Sequence, residues 1–177
     1  MPSFVSIRIK SQSRGDISFA DLIKTHQDLA RKNVTIGILE PDRKYPDSDA
    51  TLGEVALWQE FGTHRKDGSV MIPARSFLRT PFDATAERVF EMMRSSLPLI
   101  ADDKKTVAKA LAEVGTFVVN TIQRTIRMRI APALAPYTLQ KRREQGISGT
   151  IPLSATNFLY NSIHYAVRIN QAGDSLK

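Results

Sequence analysis

The side chains best suited to proton transfer at neutral pH are three histidines, which lie far apart in the 177-residue chain at His26, His64 and His164. Nucleophilic catalysis needs a histidine beside a nucleophile and an orienting carboxylate, and no histidine here stands in a recognisable arrangement of that kind. The absence of cysteine excludes disulfides, thiolate metal sites and cysteine nucleophiles. The sequence also contains no phosphate-binding loop, dinucleotide fingerprint or nucleophile elbow. We therefore expect a protein that is not an enzyme and needs no cofactor.

A group of carboxylates, Asp42, Asp47 and Asp49, lies in a segment of turn-forming residues from 40 to 50. Oxygen ligands of this type suit a hard cation. Their spacing, however, lacks the glycine and the distal glutamate of a calcium-binding loop. The pattern favours a solvated surface loop over a metal site, so no metal is expected.

Basic residues are concentrated between Val114 and Arg143, a stretch without aspartate or glutamate. With a net charge of +7, this asymmetry predicts a basic surface for nucleic-acid phosphates or an acidic protein face. Two alternatives stay open, namely solubility and favourable placement of cations at a helix C-terminus. Between Arg124 and Arg143, where the basic residues lie, Tyr137 is the single aromatic residue, which argues against stacking on single-stranded bases. The candidates for the basic surface are Arg124, Arg127, Arg129, Lys141, Arg142 and Arg143.

Alternating hydrophobicity predicts three short strands, at Phe4–Ile9, Val34–Leu39 and Ile163–Ile169. Helical periodicity and end signals predict the helices between them. These are a helix capped by Ser18 and ending near Asn33, Thr51–Phe61 with a capping box, Phe82–Ser96 before Pro98, the long Lys104–Ile130, Tyr137–Gln145, and a short one within 152–161.

These elements predict an α+β fold, in which a small mixed sheet is packed by one long helix and several shorter helices. Residues 1–170 should form a single structural domain with an extended arm or protruding loop around 63–80, followed by a polar tail at 171–177. No segment approaches the roughly 20 apolar residues of a membrane span, and the first residues lack the apolar region of a signal peptide. We therefore expect synthesis and assembly in a cytoplasm, without contact with a membrane.

Two adjacent segments carry a resemblance: Leu52–Thr63, which ends in Glu60-Phe61-Gly62-Thr63, and Ile72–Arg79, which reads Ile-Pro-Ala-Arg-Ser-Phe-Leu-Arg. They resemble the neck and tail-completion proteins of long-tailed bacteriophages, a family that includes virion morphogenesis and tail components. Ser76 replaces the second proline of the family pattern. The resemblance continues over a helix at 113–126, a proline followed by a basic helix at 134–143, and a leucine and Asn161-Ser162-Ile163 after Pro152. Residues 155–157 depart from the aspartate-threonine-glycine of the pattern.

The resemblance implies a structural virion protein that forms a ring, expected to be a hexamer, at the neck or the upper end of the tail. Tail completion, tail termination and head–tail joining all fit, and the partners would be adjoining neck or tail-tube proteins and genomic DNA in the channel. The subunit-interface candidates are Arg75, Phe77, Leu78 and Arg79. Arg75 and Arg79, four residues apart on an extended segment, could face one partner. Alternatively, each could cap a helix end or pair within its own subunit. The alternative function is a stand-alone basic nucleic-acid-binding module.

Overall fold

The computed structural model describes residues 19–46, 48–128, 130–153 and 157–169, and the predicted α+β fold is confirmed. The predicted strand Phe4–Ile9, the cap at Ser18, Asp47, Arg129 and the polar tail lie outside these residues. In chain order the elements are α1 (Phe19–Arg31), β1 (Lys32–Ile38), α2 (Leu52–Phe61), β2 (Thr63–His64), β3 (Val70–Ile72), α3 (Arg79–Ala101), α4 (Val107–Arg127), α5 (Pro136–Glu144), α6 (Phe158–Asn161) and β4 (Ile163–Ile169).

The strands of the described residues form two separate antiparallel pairs. β1 pairs with β4 along its whole length, with Val34 opposite Val167 and Ile36 opposite Tyr165. β2 and β3 form a short hairpin. The first pair thus joins the two ends of the described chain, while the hairpin lies within the segment that follows α2.

Helix α4 is the centre of the core, as its periodicity predicts. Its buried positions recur every three or four residues and pack against α3, β1 and β4. The helix begins at Val107 and not at Lys104, because the Thr106 hydroxyl caps it by accepting from the Lys109 backbone N–H at 3.1 Å. The buried apolar positions of α4 are Val107, Ala110, Leu111, Val114, Val118, Ile122 and Ile126.

Helix α3 is longer than predicted, because it runs through Pro98 to Ala101. The expectation that Pro98 ends the helix is wrong. Proline removes one N–H from a helix but keeps its carbonyl, and the carbonyl of Pro98 accepts from the Asp102 N–H at 3.0 Å. Beyond the proline, Ile100 is buried against the start of α4. The fold therefore contains two long helices, and their antiparallel pairing supports the rest.

Helix α1 forms where predicted, and Leu29 packs against the smaller of two apolar clusters. Among the described residues, its other apolar positions, Phe19, Leu22 and Ile23, are exposed. No helix of the described chain is long and apolar enough to cross a membrane.

Candidate interaction surfaces

Helix α2 is fixed at its start by the predicted capping box: the Thr51 hydroxyl accepts from the Glu54 N–H, and the Glu54 carboxylate accepts from the Thr51 N–H at 2.7 Å. The Thr51 hydroxyl also donates to the Glu54 carboxylate at 3.1 Å. The hydrogen bonds that the carboxylate accepts from the Thr51 backbone N–H and hydroxyl lower the pKa of Glu54, since they favour its charged form. The box sets where α2 begins and therefore which of its faces meets the core.

The face of α2 that meets the core carries Leu52, Ala56 and Glu60, which are four residues apart and buried. From the apolar character of this helix we would also expect Trp58 and Phe61 to be buried. That prediction is wrong, since their side chains are 39% and 60% exposed. Phe61 follows Leu52 by two and a half helical turns and so lies on the opposite side. An apolar helix of this kind can bury only one of its faces in the main core.

Gly62 ends α2 as predicted, with a φ of 74° that favours glycine. A Cβ atom at this position would lie 2.7 Å from the carbonyl oxygen of Ile72. Within the predicted arm or loop around 63–80, the chain then forms the β2–β3 hairpin, and Val70 and Met71 are exposed on it. The predicted protrusion is thus a hairpin that covers 63–72, while the following residues pack back onto the protein.

The buried carboxylate of Glu60 connects α2 to the start of α3. It accepts hydrogen bonds from the Ser76 hydroxyl at 2.6 Å and from the backbone N–H groups of Leu78 and Arg79 at 3.0 and 3.2 Å. The Ser76 hydroxyl in turn accepts from the Thr80 N–H at 3.1 Å. The first N–H groups of a helix lack partners within the helix, and here these two side chains supply them.

Arg75 is buried, with 4% of its surface exposed, which corrects the expectation that it faces a neighbouring subunit. Its backbone N–H donates to the Gln59 carbonyl at 2.6 Å. Its guanidinium donates to the carbonyl oxygens of Pro132 at 2.9 Å and Ala133 at 3.1 Å. The alternative interpretation, pairing within the subunit, describes Arg75. Its planar fork holds the segment that follows α4.

The other three interface candidates divide between interior and surface. Phe77 is fully buried in the main core, so the expectation that it contacts another subunit is also wrong. Leu78 is half-buried, and Arg79, at the first position of α3, is exposed. Arg79 is therefore the interface candidate that a partner can reach most easily.

Arg142 was predicted on the basic surface, but it is 9% exposed. Arg142 is buried for a local reason. Helix α5 turns this side chain towards the loop that follows it, where the guanidinium donates to the carbonyl oxygens of Gly149 at 2.8 Å and Ile151 at 3.0 Å. Arg142 and Arg75 line one cavity of about 400 Å³. Burial lowers the pKa of both arginines, and the positive charge of Arg142 lowers that of Arg75 further.

The remaining basic candidates that the structure describes are exposed at the end of α4 and on α5. Arg127 lies over the ring of Tyr160, with 4.4 Å between its guanidinium carbon and the ring centroid, and Lys141 lies 5.5 Å from that of Tyr137. Such cation–π contacts leave the charge accessible while restricting the side chain. The exposed set consists of Arg124, Arg127, Lys141 and Arg143; Arg129 is outside the described residues.

An apolar groove of about 450 Å³ lies between α2 and β1. Leu57 and Phe61 form one wall and are more than half exposed. Ile36 and Ile38 form the other, and Leu78 lies beside them. We call the surface formed by these five residues the α2–β1 groove. It displays Leu57 and Phe61, two apolar residues of α2 that do not enter the core.

The histidines are all exposed, on α1, β2 and β4. Within the ranges that the structure describes, no three histidine or acidic side chains are grouped so that they could hold a metal ion. Comparisons of the chain with protein-family models, with curated proteins and with solved structures give no match. Function is therefore inferred from the contacts of this chain and from the resemblance of its 52–79 segment.

Proposed function

We propose that this chain is a structural component of a tailed-phage virion that assembles into a ring at the neck or the upper end of the tail. The observation that carries the proposal is the division of the 52–79 segment into an internally braced part and an exposed apolar part. Glu60, Arg75 and Phe77 fix the segment to its own subunit. Leu57 and Phe61 form the exposed wall of the α2–β1 groove.

An apolar groove of this kind favours association, because covering it removes apolar surface from water. A rigid frame behind the groove reduces the cost of ordering it on binding. Both properties suit a subunit that meets identical neighbours. When one surface of a subunit contacts a different surface of the next, repetition around an axis closes a ring. A hexamer is the proposed closed form.

The exposed basic residues at the end of α4 and on α5 add a second surface to the proposal. In a ring around a DNA channel, Arg124 and Arg143 would contact phosphates or an acidic face of the adjoining neck or tail-tube protein. Contacts with phosphates carry no sequence information, so no preferred DNA site is expected. The three roles of tail completion, tail termination and head–tail joining share these requirements.

The experiment is native mass spectrometry of the purified chain over a concentration series. We expect a closed oligomer, with six subunits as the proposed number. Leu57→Glu should abolish it, because the groove would then have to bury a charge. The matched control is Leu99→Glu, which makes the same change at an exposed leucine near the end of α3. A wild-type chain that stays monomeric at high concentration, or an L57E variant that assembles normally, would count against the proposal.

The stand-alone nucleic-acid-binding module remains the second candidate, favoured by the exposed arginines and lysine around α4 and α5. It predicts DNA binding by the monomer without assembly. Because the groove variant leaves the basic residues intact, L57E separates the two functions. DNA binding by a wild-type chain that stays monomeric would support the stand-alone nucleic-acid-binding module.

A further inference from the structure

The cavity between α2, the hairpin and α5 contains two guanidiniums whose positive charges are buried. Arg75 enters it from the segment after β3, and Arg142 enters from α5. Their hydrogen-bond partners among the described residues are carbonyl oxygens, which are neutral. Arginine stays protonated in proteins, so the cavity carries two positive charges at neutral pH.

The described residues that line the cavity include no aspartate or glutamate to balance these charges. A buried charge is costly unless an opposite charge accompanies it. The lowered pKa of Arg75 has the same origin, since desolvation and the charge of Arg142 both oppose its protonated form. An anion placed between the two guanidiniums would relieve both effects.

The remaining walls define what kind of anion fits. Three neutral side chains that can hydrogen-bond, Tyr45, Gln59 and Thr138, lie among the lining residues. The rest is largely apolar, from Val55, Met71, Ile72, Leu134, Leu153 and Leu159. A volume of about 400 Å³ is within the range of sites that enclose a ligand. A fully hydrated phosphate would leave these apolar walls without a partner.

We propose that the cavity binds a carboxylate carried on an apolar stem, with Arg75 and Arg142 as its two cationic contacts. The planar guanidinium matches a carboxylate through parallel hydrogen bonds, and the stem would cover the leucine and isoleucine walls. This inference goes beyond the proposed ring, because it concerns a different surface from the α2–β1 groove. The carboxylate comes either from an acidic side chain of a partner protein or from a small organic acid.

Titration calorimetry with the full chain tests this through four probes. Two are blocked tripeptides, leucine-glutamate-leucine and leucine-glutamine-leucine, which differ by one charge. The others are hexanoate and inorganic phosphate. The acidic tripeptide should bind about tenfold or more tightly than its amide counterpart, and phosphate should bind more weakly than either carboxylate. If the tripeptide binds more tightly than hexanoate, the source is a protein segment; similar binding indicates a small acid.

Two neighbouring arginines provide a matched control for nonspecific attraction. Arg142→Gln and Arg143→Gln remove the same charge, but Arg143 is exposed outside the cavity. Only R142Q should lose binding. Because R142Q also removes two contacts to a loop, a second variant is needed. Ala133→Phe fills the cavity from an exposed position and should block binding with the fold retained.

Three results would overturn the proposal: equal binding of the acidic and amide tripeptides, equal binding of phosphate and hexanoate, or unchanged binding by A133F. If the chain forms no ring, these measurements are unaffected, since they are made at chain concentrations below those at which it would assemble. Conversely, loss of carboxylate binding in A133F without a change in subunit number separates this site from the groove.

Discussion

The hydroxyl of Ser76 donates a 2.6 Å hydrogen bond to the carboxylate of Glu60 and accepts one from the Thr80 N–H. Proline, which occupies this place in the family pattern that the segment resembles, can do neither. Glu60 also accepts from Leu78 and Arg79, and Pro81, which follows Thr80, has no N–H to satisfy. The first turn of α3 is therefore capped completely by a serine and by a side chain of another helix.

Removing this cap should weaken the fold. We expect Ser76→Ala to lower the free energy of unfolding by about 1 kcal/mol, and Glu60→Gln by about 1–3 kcal/mol because two or more donors lose a charged acceptor. Urea denaturation monitored by circular dichroism measures both. Ser95→Ala, at an exposed serine of the same helix outside the cap, is the control and should change stability little. Wild-type stability of E60Q would contradict the capping role.

Arg75 and Arg79 should respond differently to substitution. Arg75→Lys should lower the free energy of unfolding by about 1–3 kcal/mol, because one ammonium group cannot reproduce the fork that reaches Pro132 and Ala133. Arg79→Ala should change it by less than about 0.5 kcal/mol, as is usual at exposed sites, and should weaken assembly. Denaturation and native mass spectrometry separate the two effects. Normal assembly of R79A would remove Arg79 from the interface.

Gly115 of α4 lies against Tyr165 of β4. A Cβ atom there would meet the ring of Tyr165 at 2.5 Å. In an open helix, glycine to alanine would stabilise by about 1 kcal/mol; here we expect Gly115→Ala to destabilise by about 1–3 kcal/mol through overpacking. Thermal unfolding gives the sign. Gly115→Ala combined with Tyr165→Ala should recover part of the loss, and a stabilising single variant would show that the helix and strand can separate freely.

The capping box predicts a pH dependence. The pKa of Glu54 is lowered in the folded protein by its hydrogen bonds to Thr51, so its contribution is fully present above the ordinary glutamate pKa. It is lost as the pH falls through the lowered value. Glu54→Gln should therefore reduce stability at neutral pH and flatten its decline on acidification. Urea midpoints measured from neutral to acidic pH test this, and parallel curves for E54Q and wild type would exclude it.

The basic surface should bind duplex DNA weakly, without sequence preference, and with an affinity that falls steeply as salt rises. Each of Arg124→Gln and Arg143→Gln should reduce the salt dependence by about one unit of slope if its arginine contacts a phosphate. Fluorescence anisotropy over a salt series measures the slopes. Arg142 is buried and provides the contrasting position. A chain without measurable DNA affinity would rule out the nucleic-acid-binding module and leave an acidic protein face as the partner.

The elements that the sequence predicts well have their determinants close together in the chain. Helix α4 follows from its periodicity, and the start of α2 follows from Thr51 and Glu54, three residues apart. The orientation of α2 could not be predicted in the same way. Its apolar residues are distributed around the helix, so only the packed structure distinguishes Leu52 inside from Phe61 outside.

The cavity with the two arginines was harder to predict, because the contacts that bury Arg75 come from distant residues. The Arg75 guanidinium donates hydrogen bonds to carbonyl groups 57 and 58 positions further along the chain. No local sequence pattern predicts such a contact. The position of Glu60 in the sequence does carry a signal, because it continues the four-residue spacing of Leu52 and Ala56. A charged residue in register with a buried face indicates a polar group that must find partners inside.

The contacts that join α2 to α3 do not involve the hairpin from Thr63 to Ile72. Glu60 and Ser76 hold the two helices together directly, and Arg65 to Ser69 close the tip among themselves. The tip of the hairpin can therefore change in length without altering the contact between Glu60 and Ser76. A short peptide tag inserted between Lys66 and Asp67 would mark each subunit at a known point, so that electron micrographs could test the proposed ring and report how its copies are oriented.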